Sequence, residues 1–109
     1  MWFKVDDSLA FNPKVIEAGK SAIGLWVRAG AWSGQHLTNG FVPSAVVRRL
    51  GGRHLVPRLI AAGLWHEVDG GYQFHDWARY QPTKADALEG RAKARERKAR
   101  SRAHLRIVE

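Results

Sequence analysis

The sequence contains no cysteine, so it forms no disulfide, offers no thiol nucleophile and builds no cysteine zinc site. It has no run near the roughly 18 apolar residues that a membrane span requires. Its first residues, Met1-Trp2-Phe3-Lys4-Val5-Asp6-Asp7, lack the apolar block and cleavage site of a secretory signal. Acidic residues are scarce: 10 Asp and Glu stand against 18 Lys and Arg, a formal charge of +8. These absences point to a cytoplasmic protein without a membrane partner, and the charge favours polyanions.

Against these absences stand 45% hydrophobic residues, with five Trp, four Phe and two Tyr, enough for one modest core in 109 residues. The charge is uneven. Nine Lys and Arg against four Asp and Glu give residues 83–109 a net +5, leaving +3 for residues 1–82. The expected organisation is a body over 1–82 and a basic, helical tail over 83–109.

Trp2 to Val5 alternates loosely and suggests a short strand. Asn12-Pro13 is a helix start, with Asn as cap and Pro at the first helical position, and Gly19 ends that helix. Ser21 is expected to cap a longer helix running to about His36. Its Ile23, Trp26, Val27 and Gly30 follow core spacing. A second stripe of Ala22, Leu25, Ala29 and Trp32 is covered either by the N-terminal strand or tail, or by a partner in a dimer. Thr38-Asn39-Gly40 is a turn, and Phe41-Val42 an edge strand. Pro43 opens a helix with Val46, Val47 and Leu50 facing in, and Gly51-Gly52 provides the turn after it. Pro57 belongs in the first turn of the next helix, where Leu55 or Val56, Leu59 and Ile60 face inward. Gly63 closes that helix. Residues 64–68 and 72–77 alternate as strands around Asp69-Gly70-Gly71, with Trp65 set to pair with Phe74 or Tyr72. A strand, two helices joined by a glycine turn and a hairpin make a winged helix-turn-helix of class α+β. The tail pairs Glu89 with Lys93 and Glu96 with Arg100, but its alanine stripe and Gly90 leave it helical only on a partner.

The five His are scattered and lack the i, i+4 spacing of paired metal ligands. His75 and Asp76, adjacent on a strand, are expected to face apart. Asp6-Asp7 suits a loop. No nucleophile–base pair and no phosphate-binding glycine loop is present. The chain is therefore expected to be no enzyme and to need no metal or cofactor. In a helix-turn-helix, outward residues of the second helix meet bases, here Arg53, His54 and Arg58. Ser44, Arg48 and Arg49 on the first helix suit phosphates. Lys93, Arg95, Arg97, Lys98, Arg100 and Arg102 of the tail would add sequence-independent affinity.

Residues 2–7, Gly40-Phe41-Val42-Pro43, Ala62-Gly63-Leu64-Trp65, Asp69-Gly70-Gly71-Tyr72, Phe74-His75-Asp76-Trp77 and Tyr80-Gln81-Pro82-Thr83 together resemble small actinobacterial phage and prophage proteins. These are described as helix-turn-helix or DnaD-like replication-initiation proteins. The resemblance covers residues 2–83 and rests on the ordered set. It implies a winged helix that binds duplex DNA in replication initiation or transcriptional control, in the nucleoid or in an infected host cell, and it implies no catalytic residues. Beside DNA, the expected partners are a second copy of the chain or a replication or transcription protein. Two other readings remain open: a protein-interaction module using the Trp-rich face, and an RNA or single-strand binder acting through the tail.

Overall fold

Asn12 sets the first helix as its sequence suggests, accepting a hydrogen bond from the Lys14 N–H at 2.9 Å with Pro13 beside it. The computed structural model describes residues 2–108, with side chains as far as residue 105; positions 1 and 109 of the two expected segments lie outside it. The chain is α+β, in the order α1 (Pro13–Ala18), α2 (Lys20–His36), β1 (Phe41–Pro43), α3 (Ser44–Arg49), α4 (Val56–Ala61), β2 (Trp65–Val68), β3 (Gly71–Phe74), α5 (Trp77–Tyr80) and α6 (Lys84–Val108). Tight 3-10 turns occupy Leu9–Phe11 and Arg53–Leu55. The three strands form an antiparallel sheet in the order β1-β3-β2.

The hairpin is where the alternation puts it, and β1 pairs with it as expected, Phe41 facing Gln73 and Trp65 facing Phe74. Its second strand is shorter than the alternation suggests. It stops at Phe74, because Asp76 takes a left-handed conformation (φ 51°) and Trp77 begins α5. Gly71 allows the β1 and β3 backbones to close up, since a Cβ there would lie 2.2 Å from the Val42 carbonyl oxygen.

Both stripes of α2 are used, but not as expected. Ala22, Leu25 and Ala29 are buried within the chain, Leu25 against Gly52, whereas Trp32 is half-buried and stacks on His36. Leu25 meets Gly52 so closely that a Cβ on Gly52 would sit 2.4 Å from Leu25 Cδ1. Gly52 has φ −110°, so it is required for packing and not for the turn; Gly51, at φ 74°, supplies the turn. The helix starts at Lys20 after Gly19, so Ser21 is not its cap. Val27 and Ile60, both expected in the core, are substantially exposed, whereas Pro57 falls in the first turn of α4 as required.

The N-terminal segment forms no strand. Its backbone pairs instead with a side chain. Lys4 N–H donates to Gln81 Oε1 at 2.8 Å, and Gln81 Nε2 donates to the Lys4 carbonyl at 2.6 Å. A buried carboxamide thus stands where a neighbouring strand would be. This contact holds Phe3 over α2, against Gly30, Trp26, Phe74 and Trp77. Trp65, fully buried, continues the aromatic cluster with ring centroids 5.6 Å from both Phe74 and Tyr72.

From Lys84 to Val108 the chain is one helix running through Gly90, where the sequence suggests helix only on a partner. Three local devices favour it. The Thr83 N–H donates to Asp86 Oδ2 at 3.0 Å while the Asp86 N–H donates to Thr83 Oγ1 at 3.2 Å, a reciprocal cap. Lys93 and Glu89 pair at 3.0 Å, and Arg100 and Glu96 at 2.6 Å. The Asp86 carboxyl titrates below its usual 3.8 because the Thr83 backbone N–H, then its side chain, holds the ionised form. A depressed folded pKa means the cap is complete above pH 3.8 and is lost as pH falls through the lowered value. The expected result is loss of amide protection at Thr83, measured against the intrinsic exchange rate, in that acid window, and absence of that protection at every pH in Asp86→Ala.

Candidate nucleic-acid interface

Between Glu17 and Glu67 the chain carries no acidic residue, while Lys20, Arg28, Arg48, Arg49, Arg53 and Arg58 all fall in that interval. The fold places Lys20 and Arg28 on α2, Arg48 and Arg49 on α3, Arg53 in the turn leading into α4 and Arg58 on α4. Arg48, Gly51, Arg53 and His54 line one shallow depression on the surface. Arg28, from α2, reaches the same region and donates to the Leu50 carbonyl at 3.4 Å. Arg48, Arg49, Arg53 and His54 are all exposed. Neither Arg48 nor Arg53 has an acidic partner within salt-bridge distance among the described residues.

The expected site residues separate into groups. Arg53 and His54 lie in the 3-10 turn before α4 and not on the helix itself. Arg58 is on α4 but lies over the α1–α2 junction, with its guanidinium Nη1 3.6 Å from where a Cβ on Gly19 would be. Arg53 and Arg58 therefore do not form the pair suggested by placing both on one helix. Ser44 is engaged within the fold: its backbone N–H and hydroxyl both point to the Gly70 carbonyl, at 3.1 and 3.4 Å, tying α3 to the hairpin turn. On α6, Lys93 and Arg100 are paired with glutamates, whereas Arg95, Arg97, Lys98 and Arg102 are exposed with no ion pair among the described residues. Arg28 escaped the reading of the helix-turn-helix because it lies some 20 residues upstream on a different helix; the long acid-free interval is the signal that includes it.

The hairpin brings no cation to this surface. No Lys or Arg occurs from Leu64 to Ala78, and Glu67 and Asp69 flank its tip. Its exposed side holds an arrangement that strand alternation hides. His66 Nε2 lies 2.8 Å from His75 Nδ1, and His75 Nε2 lies 3.2 Å from Asp76 Oδ2. His75 and Asp76 meet because they occupy a turn and not a strand. No group of three or more His, Cys, Asp or Glu is placed to hold a metal among the described residues. A larger groove of about 750 Å³ runs between the N-terminal segment and α5, lined by the edges of Trp26, Phe74 and Trp77 with Ser8 and Tyr80. The Ser8 hydroxyl there bonds Asp6 at 2.6 Å, in the loop role suited to Asp6-Asp7. No helix among the described residues is long and apolar enough to cross a membrane.

Comparison with protein-family models, with curated proteins and with solved structures found no match to this chain.

Proposed function

We propose that this chain is a winged-helix protein that binds duplex DNA through the α3–α4 region, without catalysis or a cofactor, in replication initiation or transcriptional control. The observation that carries this reading is the cluster of Arg28, Arg48, Arg53 and His54 around the Gly51 turn, drawn from a sequence interval without acidic residues. Guanidinium groups without a carboxylate partner meet phosphate or guanine without first breaking an existing pair. The β1-β3-β2 sheet order and the short hairpin after α4 support the same reading of the fold. The acidic hairpin tip leaves phosphate contact to the helices and to α6.

The test is selection of bound sequences from a random duplex pool, followed by fluorescence anisotropy on the selected duplex. Arg53→Ala is expected to weaken binding by about 1–3 kcal/mol if it meets a base, and to relax preference at one position. Arg48→Ala is expected to weaken all duplexes alike and lower the salt slope by about 0.9. Unchanged affinity in both variants overturns the proposal. Tighter binding to RNA or single strands than to duplex moves the function to the tail.

A second reading, a protein-interaction surface, draws on exposed aromatics. Trp2 and Phe11 are 85% and 86% exposed, and Ile16 is exposed as well. Such a face would draw on Trp2 and the half-buried Trp32, since Ala22, Leu25 and Ala29 are buried inside the domain and add nothing to it.

A further inference from the structure

Between Gly90 and Ala103 the basic residues of α6 fall on two faces with opposite electrostatic character. Arg91, Arg95, Lys98 and Arg102 follow one another at intervals of four, three and four residues, which places them on one face. None of the four has an Asp or Glu three or four residues away, and none makes an ion pair among the described residues. The opposite face holds Lys93, Arg97 and Arg100 together with Asp86, Glu89 and Glu96. Three cations and three carboxylates cancel there, and two of the cations are bound to glutamates at 3.0 and 2.6 Å. The uncompensated face spans about 16 Å along the helix axis. Every one of its four cations is exposed.

We propose that α6 binds duplex DNA with this one face, laying Arg91, Arg95, Lys98 and Arg102 along the phosphate backbone while the neutral face stays in water. This rests on the nucleic-acid reading above, and it goes further in assigning which cations act. A helix sunk in the major groove faces phosphates on both flanks and makes use of cations on both. A helix with one charged face follows one edge of the duplex and reads no bases. The two glutamate pairs then serve the helix itself: they hold α6 in shape on the side that no partner covers. The sequence alone groups Lys93 and Arg100 with the DNA-binding cations and omits Arg91; the ion pairs of α6 argue for the reverse of both assignments.

Two charge-matched variants of the full chain test this, each removing two positive charges: Arg95→Ala/Lys98→Ala on the stripe, and Lys93→Ala/Arg100→Ala opposite. Binding to a random-sequence duplex is measured by anisotropy across a salt series. Removing one phosphate-binding cation lowers the magnitude of the slope of log K against log salt by about 0.9, so the stripe variant is expected to show a slope smaller by about 1.8. The opposite variant is expected to change the slope by less than about 0.5. Circular dichroism checks that α6 stays helical in both. Equal reductions in the two variants, or none in the stripe variant, overturn the one-face proposal. Failure of this proposal is separable from failure of the function: Arg53→Ala reads out base preference, which the stripe does not touch. Absence of binding by the unaltered chain to any duplex removes both, and stronger binding to a single strand removes the duplex commitment.

Discussion

Trp65→Ala is expected to cost about 3–5 kcal/mol, the range for deleting a large buried aromatic. Trp65 is fully buried and lies at the junction of the hairpin with the helices. Its indole stacks on Tyr72 and tilts against Phe74, and such pairs add about 0.5–1.5 kcal/mol beyond area burial. Its Nε1 is buried without a hydrogen-bond partner, so removing the ring also removes an unsatisfied donor, which places the expected cost toward the lower end of the range. Against a total of about 5–15 kcal/mol for a small domain, the loss is enough to leave much of the population unfolded on warming. Urea melts read by far-ultraviolet circular dichroism measure it. A midpoint equal to that of the unaltered chain contradicts the placement of Trp65 at the centre of the core.

Gln81→Ala is expected to cost about 2–5 kcal/mol, because it removes one side chain and leaves two backbone groups of Lys4 without partners. The effect extends past those bonds. Lys4 follows Phe3, whose ring stands 5.2 Å from Trp26, 5.9 Å from Trp77 and 6.0 Å from Phe74. Releasing the backbone at Lys4 frees that ring to leave. Phe3→Ala and Gln81→Ala are therefore expected to be non-additive, with a coupling of about 0.5–3 kcal/mol in a double-mutant cycle. Urea titration of the four proteins checks this; strict additivity denies that the carboxamide and the ring act as one unit. The summed fluorescence of the five Trp should shift in both single variants, since both expose Trp26 and Trp77 where Phe3 packs.

Local chemistry made much of this fold legible. Asn12-Pro13, Asp69-Gly70-Gly71 and Gly63 each place a boundary through their own backbone preferences, and the boundaries stand where those preferences put them. What stayed hidden is what depends on a distant partner. Alternation at residues 2–5 suggests a strand, yet the partner is a side chain at position 81, to which no periodicity points. Gly52 reads as a turn glycine because it follows Gly51, while the reason for it is Leu25 on another helix. His75 and Asp76 continue an alternating pattern, and only the left-handed backbone at Asp76 turns the chain and brings them together. The candidate site divides in the same way. Exposure of Arg48 follows from helical spacing and that of Arg53 and His54 from the turn after Gly51-Gly52, whereas the approach of Arg28 and the separation of Arg58 depend on how α2 packs against the other helices.

The bond between Lys4 and Gln81 joins residues 77 positions apart, which fixes an order of events during synthesis. Phe3 and Lys4 leave the ribosome well before their binding place is complete, since Phe74, Trp77 and Gln81 all form part of that place. At about 5–20 residues per second, roughly 4–15 s separate the two. During that interval Phe3 is an unshielded apolar group on a nascent chain, open to chaperones and to other chains alike. Closure of the body is a late step with a long loop to close, and its rate is set by topology and not by the strength of the final contact.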